Sequence, residues 1–275
     1  MSWCTRPNWL SAWAWPVLSP RSRYSAAACH QQALALARAA GDPLAEAVSL
    51  TDLGQVQQLT GHNPAAVVSH TQALAMFRDL NSRFDEADAL CQLGFAARAV
   101  GDYPAAASYL QQGLQQFRDL GDRLGQAWAL HGLGHVQRAT GDYRAASARL
   151  SQVLRLYQDL GSRHGQAKAL NSLGGLSVAT SAAEEARSYH SQALAIAREI
   201  GAHAEEADAL AGIGMSLLPQ SPTEAAAPLR DALAIYQRIG SPDAQRIQDT
   251  LTRPGLETQQ LTPNGGPPAA DGRLP

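Results

Sequence analysis

The sequence repeats itself at an interval of forty residues. Sliding the chain against itself by that interval aligns Leu53-Gly54, Leu93-Gly94, Leu133-Gly134, Leu173-Gly174 and Ile213-Gly214 without a gap. The same slide brings Ala73-Leu74, Gly113-Leu114, Val153-Leu154 and Ala193-Leu194 onto Ala33-Leu34. A fixed period of this size marks a solenoid, because a unit so short cannot bury its own apolar face and must stack on its neighbours. Between the anchors apolar residues recur at helical spacing, as in Ala87, Leu90, Leu93 and Ala97, then Ala106, Leu110, Leu114 and Phe117. That periodicity predicts two helices per unit.

The punctuation agrees. Gly41, Gly61, Gly101, Gly121, Gly141, Gly161 and Gly201 fall where a helix should stop, since glycine takes the left-handed conformation that closes a helix without a steric penalty. Asp42, Asp102, Asp122 and Asp142 follow directly as N-cap residues, and Pro43 suits a first helical position. Where Gly-Asp-Tyr lapses, Ser181 with Glu184, and Ser221 with Pro222 and Glu224, read as capping boxes in its place. The last unit is one residue short, because Ala193-Leu194 reappears as Ala232-Leu233; the deletion falls in the Pro219 to Pro222 turn.

The pattern Leu90-x-x-Leu93-Gly94, then Ala97, Gly101-Asp102-Tyr103, Ala106, Leu110 and Gly113-Leu114 resembles the tetratricopeptide repeat (TPR), with six residues added where the second helix runs on through "QQFRDL". The forty-residue variety is similar to that of Pins/LGN-type adaptors, kinesin light chains and the C-terminal arrays of actinobacterial regulators of the antibiotic-regulatory (SARP) and STAND types. The resemblance covers residues 24 to about 250. It implies an all-α fold, a right-handed TPR superhelix (α-solenoid) of antiparallel helix pairs over 24–252, whose first helices line the concave side. Asn63 and Ala183 stand where Tyr103 and Tyr143 are found, so two units lose an aromatic that would pack the helix pair.

The two ends depart from the pattern. Tyr24 to Ala40 matches a second helix with no first helix before it, which would leave an apolar face for a partner domain or the preceding segment to cover. That segment, residues 1–23, holds Trp3, Trp9, Trp13 and Trp15. Pro16 and Pro20 interrupt its apolar run, and a cut near Ala26 to Ala28 would sever a predicted helix, so a mis-started or truncated upstream region fits better than a secretory signal. Pro242 to Leu251 reads as a closing helix with polar positions, as solenoid ends require. From Arg253 to residue 275 Pro, Gly and Gln dominate, which predicts a disordered tail.

Composition removes several function classes. A net charge of -2 gives no basic surplus to bind nucleic acid through its phosphates, and no apolar run is long enough to span a bilayer. Cys4, Cys29 and Cys91 are odd in number and form no CxxC pair, so neither a disulfide framework nor a zinc knuckle is expected, and a reducing cytoplasm is the natural compartment. Lys168 is the sole lysine against 21 arginines, a bias that points to a GC-rich genome such as an actinobacterium's.

Carried over by position from the resembling family, three rows of the first helices make the groove. The row after Leu90 comprises Thr51, Cys91, His131, Asn171 and Ala211. The row after the glycine comprises Gln55, Phe95, His135, Gly175 and Met215, and three residues further come Gln58, Arg98, Arg138, Val178 and Leu218. Trp128 and Lys168 stand near one wall. The trough is polar and mildly basic in its middle and turns apolar toward its C-terminal units. It suits an extended or helical peptide anchored on Phe95 and Trp128, with Arg98 and Arg138 meeting carboxylates.

Catalytic chemistry finds no purchase. His131 and His135 have the i, i+4 spacing of a shared metal, yet "GLG" lies between them and no third ligand follows. GxGxxG, GxxxxGK[ST] and GxSxG do not occur. Glu184-Glu185 and Glu205-Glu206 lie at predicted helix starts, where the helix dipole accounts for them. The expectation is a non-catalytic protein-interaction module without cofactor or metal, part of a bacterial regulatory system and binding a protein or peptide partner but neither nucleic acid nor membrane. A receptor for a small signalling peptide and an inert fragment of a larger regulator or enzyme are the alternatives.

Overall fold

The computed structural model describes residues 20–252, and among them it contains helices and no strand. In chain order these are α1 (Pro20–Ala40), α2 (Pro43–Leu59), α3 (Asn63–Asp79), α4 (Arg83–Ala99), α5 (Tyr103–Asp119), α6 (Arg123–Ala139), α7 (Tyr143–Asp159), α8 (Arg163–Ala179), α9 (Ala183–Ile200), α10 (His203–Leu217), α11 (Pro222–Arg238) and α12 (Asp243–Leu251). The predicted Trp-rich segment and C-terminal tail lie outside the described residues, except that α1 begins at Pro20.

Each helix packs on the next in sequence, which makes five antiparallel pairs (α2/α3 to α10/α11) between the half-unit α1 and the closing helix α12. The Leu-Gly step explains how tightly they meet. A Cβ built on Gly94 would lie 2.6 Å from Leu110 Cγ and 3.2 Å from the Ala106 carbonyl oxygen, so the second helix lies almost on the backbone of the first. Gly54 receives His70 in the same way, Gly134 receives Leu150, Gly174 receives His190 and Gly214 receives Leu229. One glycine per first helix and one side chain of the following helix therefore form the same joint in every pair. Phe77, Phe117, Tyr157 and Tyr236 are buried further along the second helices and join the core of one pair to the next.

The array also has an inside and an outside. The first helices α2, α4, α6, α8 and α10 each touch the next first helix, whereas successive second helices make no comparable contact. The first helices thus line the shorter, concave face. At the outer joints between units an arginine closing one helix reaches a glutamate opening the next, as Arg38 Nε does to Glu46 (2.7 Å), Arg78 Nε to Glu86 (3.0 Å) and Arg198 Nε to Glu206 (2.9 Å). The two middle joints use an amide instead, with Gln126 Nε2 donating to the Phe117 carbonyl and Gln166 Nε2 to that of Tyr157, both at 3.3 Å. These exposed ion pairs add at most about 1 kcal/mol each; buried contacts at the glycine joints carry the stacking.

The caps mostly follow the sequence. Asp42, Asp102, Asp122 and Asp142 accept backbone N–H groups of the helices they open, and Ser162 does so as well. The two capping boxes do not form. The N-cap of α9 is Ala182, and Ser181 instead occupies the left-handed position taken elsewhere by glycine, with φ 61°. Ser221 is the N-cap of α11 but its side chain makes no capping bond. The reason at Ser181 is the chain's twenty-residue turn rhythm, which puts a positive φ at residues 161, 181 and 201 whatever the side chain. An L-residue in that conformation costs about 1–2 kcal/mol relative to glycine. Ser181→Gly is accordingly expected to raise stability by about 1 kcal/mol, read as an upward shift of the thermal midpoint followed by circular dichroism. The tyrosines differ too: Tyr103 packs on the central core, but Tyr143 is exposed and contributes little.

Candidate functional site

The concave face is built from the exposed turns of α4, α6, α8 and α10. Residues three or four apart on a helix share a face, so Phe95 and Arg98 stand one turn apart on α4, as do His135 and Arg138 on α6. Phe95 and Trp128, both half-buried, meet with ring centroids 4.9 Å apart and tilted by 49°, which joins α4 to α6. Arg138 reaches onward over α8, where its Nη1 lies 3.9 Å from the position of a Cβ on Gly175. Nothing else stands within 4 Å of that position, so Gly175 opens directly onto the trough.

A polar network fills the centre. His131 Nε2 and Ser172 Oγ are 2.8 Å apart, and Ser172 Oγ and His135 Nε2 3.2 Å. The Ser172 hydroxyl donates to the Lys168 carbonyl at 3.0 Å, so both imidazoles are the Nε2–H tautomers that donate to it. Burial, then Lys168 and Arg98, hold His131 down to about 3. His135 lies well below its ordinary value through burial and the proximity of His131, Arg98, Arg138 and Lys168. Both rings are neutral near pH 7. Their donors are taken up by Ser172 and the surrounding charge is positive, an environment hostile to a metal cation.

The charges are not evenly placed. Arg98 and Arg138 end their helices on one edge of the trough, and each guanidinium has a buried Nε without a hydrogen-bond partner in the protein. Burial, and then the Arg138 charge, lower the pKa of Arg98. Asp88 belongs to the opposite edge, ten residues earlier on α4. Its carboxyl is pushed up to about 7 by burial and by Asp85 and Asp52. On α10 the buried Glu205 Oε1 lies 3.8 Å from Lys168 Nζ and 3.3 Å from His164 Nε2, and Asp208 accepts the Tyr236 hydroxyl at 2.6 Å. Lys168 is therefore compensated within the protein, whereas the arginine pair is not.

The predicted groove residues divide accordingly. Gln55, Phe95, Arg98, Trp128, His135, Arg138 and Lys168 are half-buried on the concave face, as is Gln58, whose Nε2 reaches the Gln92 carbonyl at 3.5 Å. The row after Leu90 lies elsewhere. Thr51 is buried and donates to Ala47 of its own helix, Cys91 is fully buried against Gly113 of α5, and His131 is buried beneath the face. Asn171 is committed on both sides, donating from Nδ2 to the Glu205 carbonyl and bonding through Oδ1 to His190 Nδ1, each at 3.0 Å. One step along a helix rotates a side chain by about 100°, which turns this row from the trough into the seam with the neighbouring helices. Asp88, Ser172 and Asp208 have no role in the sequence reading, and Glu205, expected only as a helix-start acid, also pairs with Lys168; a forty-residue slide from Trp128 and Lys168 lands on Asp88 and Asp208.

Among the described residues no cluster of three or more His, Cys, Asp or Glu side chains could hold a metal ion. No described helix is long and apolar enough to cross a membrane.

Comparison with known proteins adds the following. Residues 85–159 match a family model described as Tetratricopeptide repeat. No curated protein sequence matches the chain. Among solved structures, BtubC (BKLC) from P. vanneervenii superposes with TM-score 0.59 at 19% identity, over 92% of this chain and 97% of that one. NprR in complex with its cognate peptide NprX superposes with TM-score 0.67 at 12% identity, over 79% of this chain and 64% of that one. A signal transduction ATPase with numerous domains (STAND) and a tetratricopeptide repeat sensor, from Pyrococcus horikoshii, gives TM-score 0.58 at 14% identity, with 75% of this chain but only 32% of that one covered. At such identities the likeness is one of fold.

Proposed function

We propose that the chain, whose residues 85–159 match the tetratricopeptide repeat, is a non-catalytic interaction module that holds a peptide or protein segment along the trough of α4, α6, α8 and α10. One observation carries the reading. The concave face joins an aromatic platform, Phe95 on Trp128, to an uncompensated arginine pair, with the open backbone of Gly175 between the walls. Large half-buried aromatics beside charged donors are the usual anchors of polypeptide recognition. A regulatory setting, as the sensor part of a larger bacterial regulator acting in the cytoplasm, is supported by the likeness to the STAND sensor protein. A free-standing receptor for a small peptide is the second reading, favoured by the likeness to NprR with its peptide bound.

The test blocks the trough without touching the core. Gly175→Trp places an indole in open space over Arg138, so helicity and thermal midpoint are expected to stay within the range of the parent. Peptides selected from a displayed random dodecamer library on the full chain are expected to lose binding to the Gly175→Trp protein by tenfold or more. Selected peptides that bind both proteins equally would move the site off this face and end the reading.

A further inference from the structure

Resting on the trough as the binding face, we infer that Arg98 and Arg138 form an anion-binding centre that receives a single carboxylate of the bound segment, next to an apolar side chain seated on Phe95 and Trp128. The two arginines belong to successive first helices at the same position of the repeat, and each influences the ionisation of its surroundings at short range. Their Nε atoms are buried and unpaired. A buried donor without a partner is costly, and two like charges brought together cost more, so such a pair needs a reason to persist.

Helix-dipole complementation does not supply one. A basic residue in the last turn stabilises a helix from an exposed position, and α2, α8 and α10 end without any basic residue there. Nor does internal compensation, because α8 carries no acidic residue, the α10 carboxylates Glu205 and Asp208 lie with Lys168, His164 and Tyr236, and the groups acting on Arg98 and His135 are cationic or histidine apart from the Tyr103 hydroxyl of α5. An entering carboxylate would accept from both guanidiniums, the geometry for which arginine is suited. Arg98 lies one turn beyond Phe95, so the same segment that places its carboxylate there lays its neighbouring side chain on the aromatic pair. Lys168, the next cation along the trough, is already met by Glu205, so a second acid finds no such pair. The ligand is thus an isolated acidic residue beside an apolar one, not a polyacidic tail.

The experiment uses the peptides selected on the full chain and the variant Arg98→Gln/Arg138→Gln, which keeps most of each aliphatic stem; helicity and thermal midpoint establish that it folds. Trough-dependent peptides are expected to carry Asp or Glu at one fixed position beside an apolar residue. Changing that acid to its amide should weaken binding about tenfold, the arginine variant should weaken it about tenfold, and both together should lose little more than either alone. Should the variant misfold, the same cycle is run with Arg138→Lys, where the expected loss is smaller but still vanishes against the amide peptide. Peptides that need Gly175 open yet show no acidic position, or additive losses in the cycle, overturn the carboxylate assignment and leave the trough standing. If no selected peptide depends on the trough, both the assignment and the functional reading fall.

Discussion

Alanine is expected to act in opposite directions at two adjacent glycines. Gly174→Ala should lower stability by about 2 kcal/mol, and Gly175→Ala should raise it by about 0.5–1 kcal/mol. Both sit inside α8, so both substitutions gain the same helix propensity. What differs is the space. A Cβ on Gly174 would stand 2.5 Å from His190 Nε2 and 2.6 Å from its Cδ2, while one on Gly175 meets only Arg138 Nη1 at 3.9 Å. The His190 ring cannot step aside, because the far side of it is pressed against Gly212 of α10 and its Nδ1 is bonded to Asn171. Overpacking therefore forces α8 and α9 apart. In a stack held by nearest-neighbour contacts the damage stays at that joint, so denaturant unfolding of Gly174→Ala should split into two steps as the C-terminal units loosen first. Equal effects of the two substitutions in urea titrations would show that the joint is not packed as described.

Replacing His70 and His190 by leucine is expected to remove part of the protein's sensitivity to acid, the share of His131, His135 and His164 remaining. Burial holds each ring at about 4 rather than the ordinary 6.5. The sign follows from the order of protonation. As pH falls below 6.5 the unfolded chain takes up these protons first, so stability is lost down to about pH 4, where the folded protein takes them up too. The loss amounts to about 3 kcal/mol per histidine at most, since one pKa unit is about 1.4 kcal/mol. Leucine fits both places, because Leu110, Leu150 and Leu229 fill the same joint against Gly94, Gly134 and Gly214. His70 should also gain at neutral pH, as neither of its ring nitrogens has a partner in the protein, whereas at His190 the gain is smaller because Asn171 Oδ1 loses its bond. The stability difference between His70→Leu/His190→Leu and the parent, measured by urea unfolding from pH 7 to pH 4.5, should widen steadily. A constant difference would mean that these rings are protonated in the fold.

Helices, their order and their pairing were legible because each is encoded locally. The residue that fills Gly94 is Leu110, in the same unit; the glycine returns at the forty-residue interval, and each copy meets a leucine or histidine of its own unit. The trough was legible only by row. Phe95, His135, Arg98 and Arg138 are half-buried, but Cys91 is buried and Asn171 is bonded into the seam, since one residue step decides between open face and seam and the position of the neighbouring helix settles that step. Ser172 illustrates the remainder. Nothing in its own surroundings marks it, and it matters only because His131 and His135 of the preceding unit arrive on either side. The left-handed Ser181 was hidden for the converse reason: a residue suited to capping was read by its own chemistry, while the turn rhythm of the array dictated its backbone.

The unequal contact of the two ranks of helices has a mechanical consequence. With the inner rank in contact and the outer rank apart, pinching the arc further is opposed by hard-core repulsion between α2, α4, α6, α8 and α10. Straightening it meets no such stop until the outer rank closes up. The molecule is therefore a one-way spring, soft toward uncurling and stiff toward tightening, so that any widening of the trough would come by flattening.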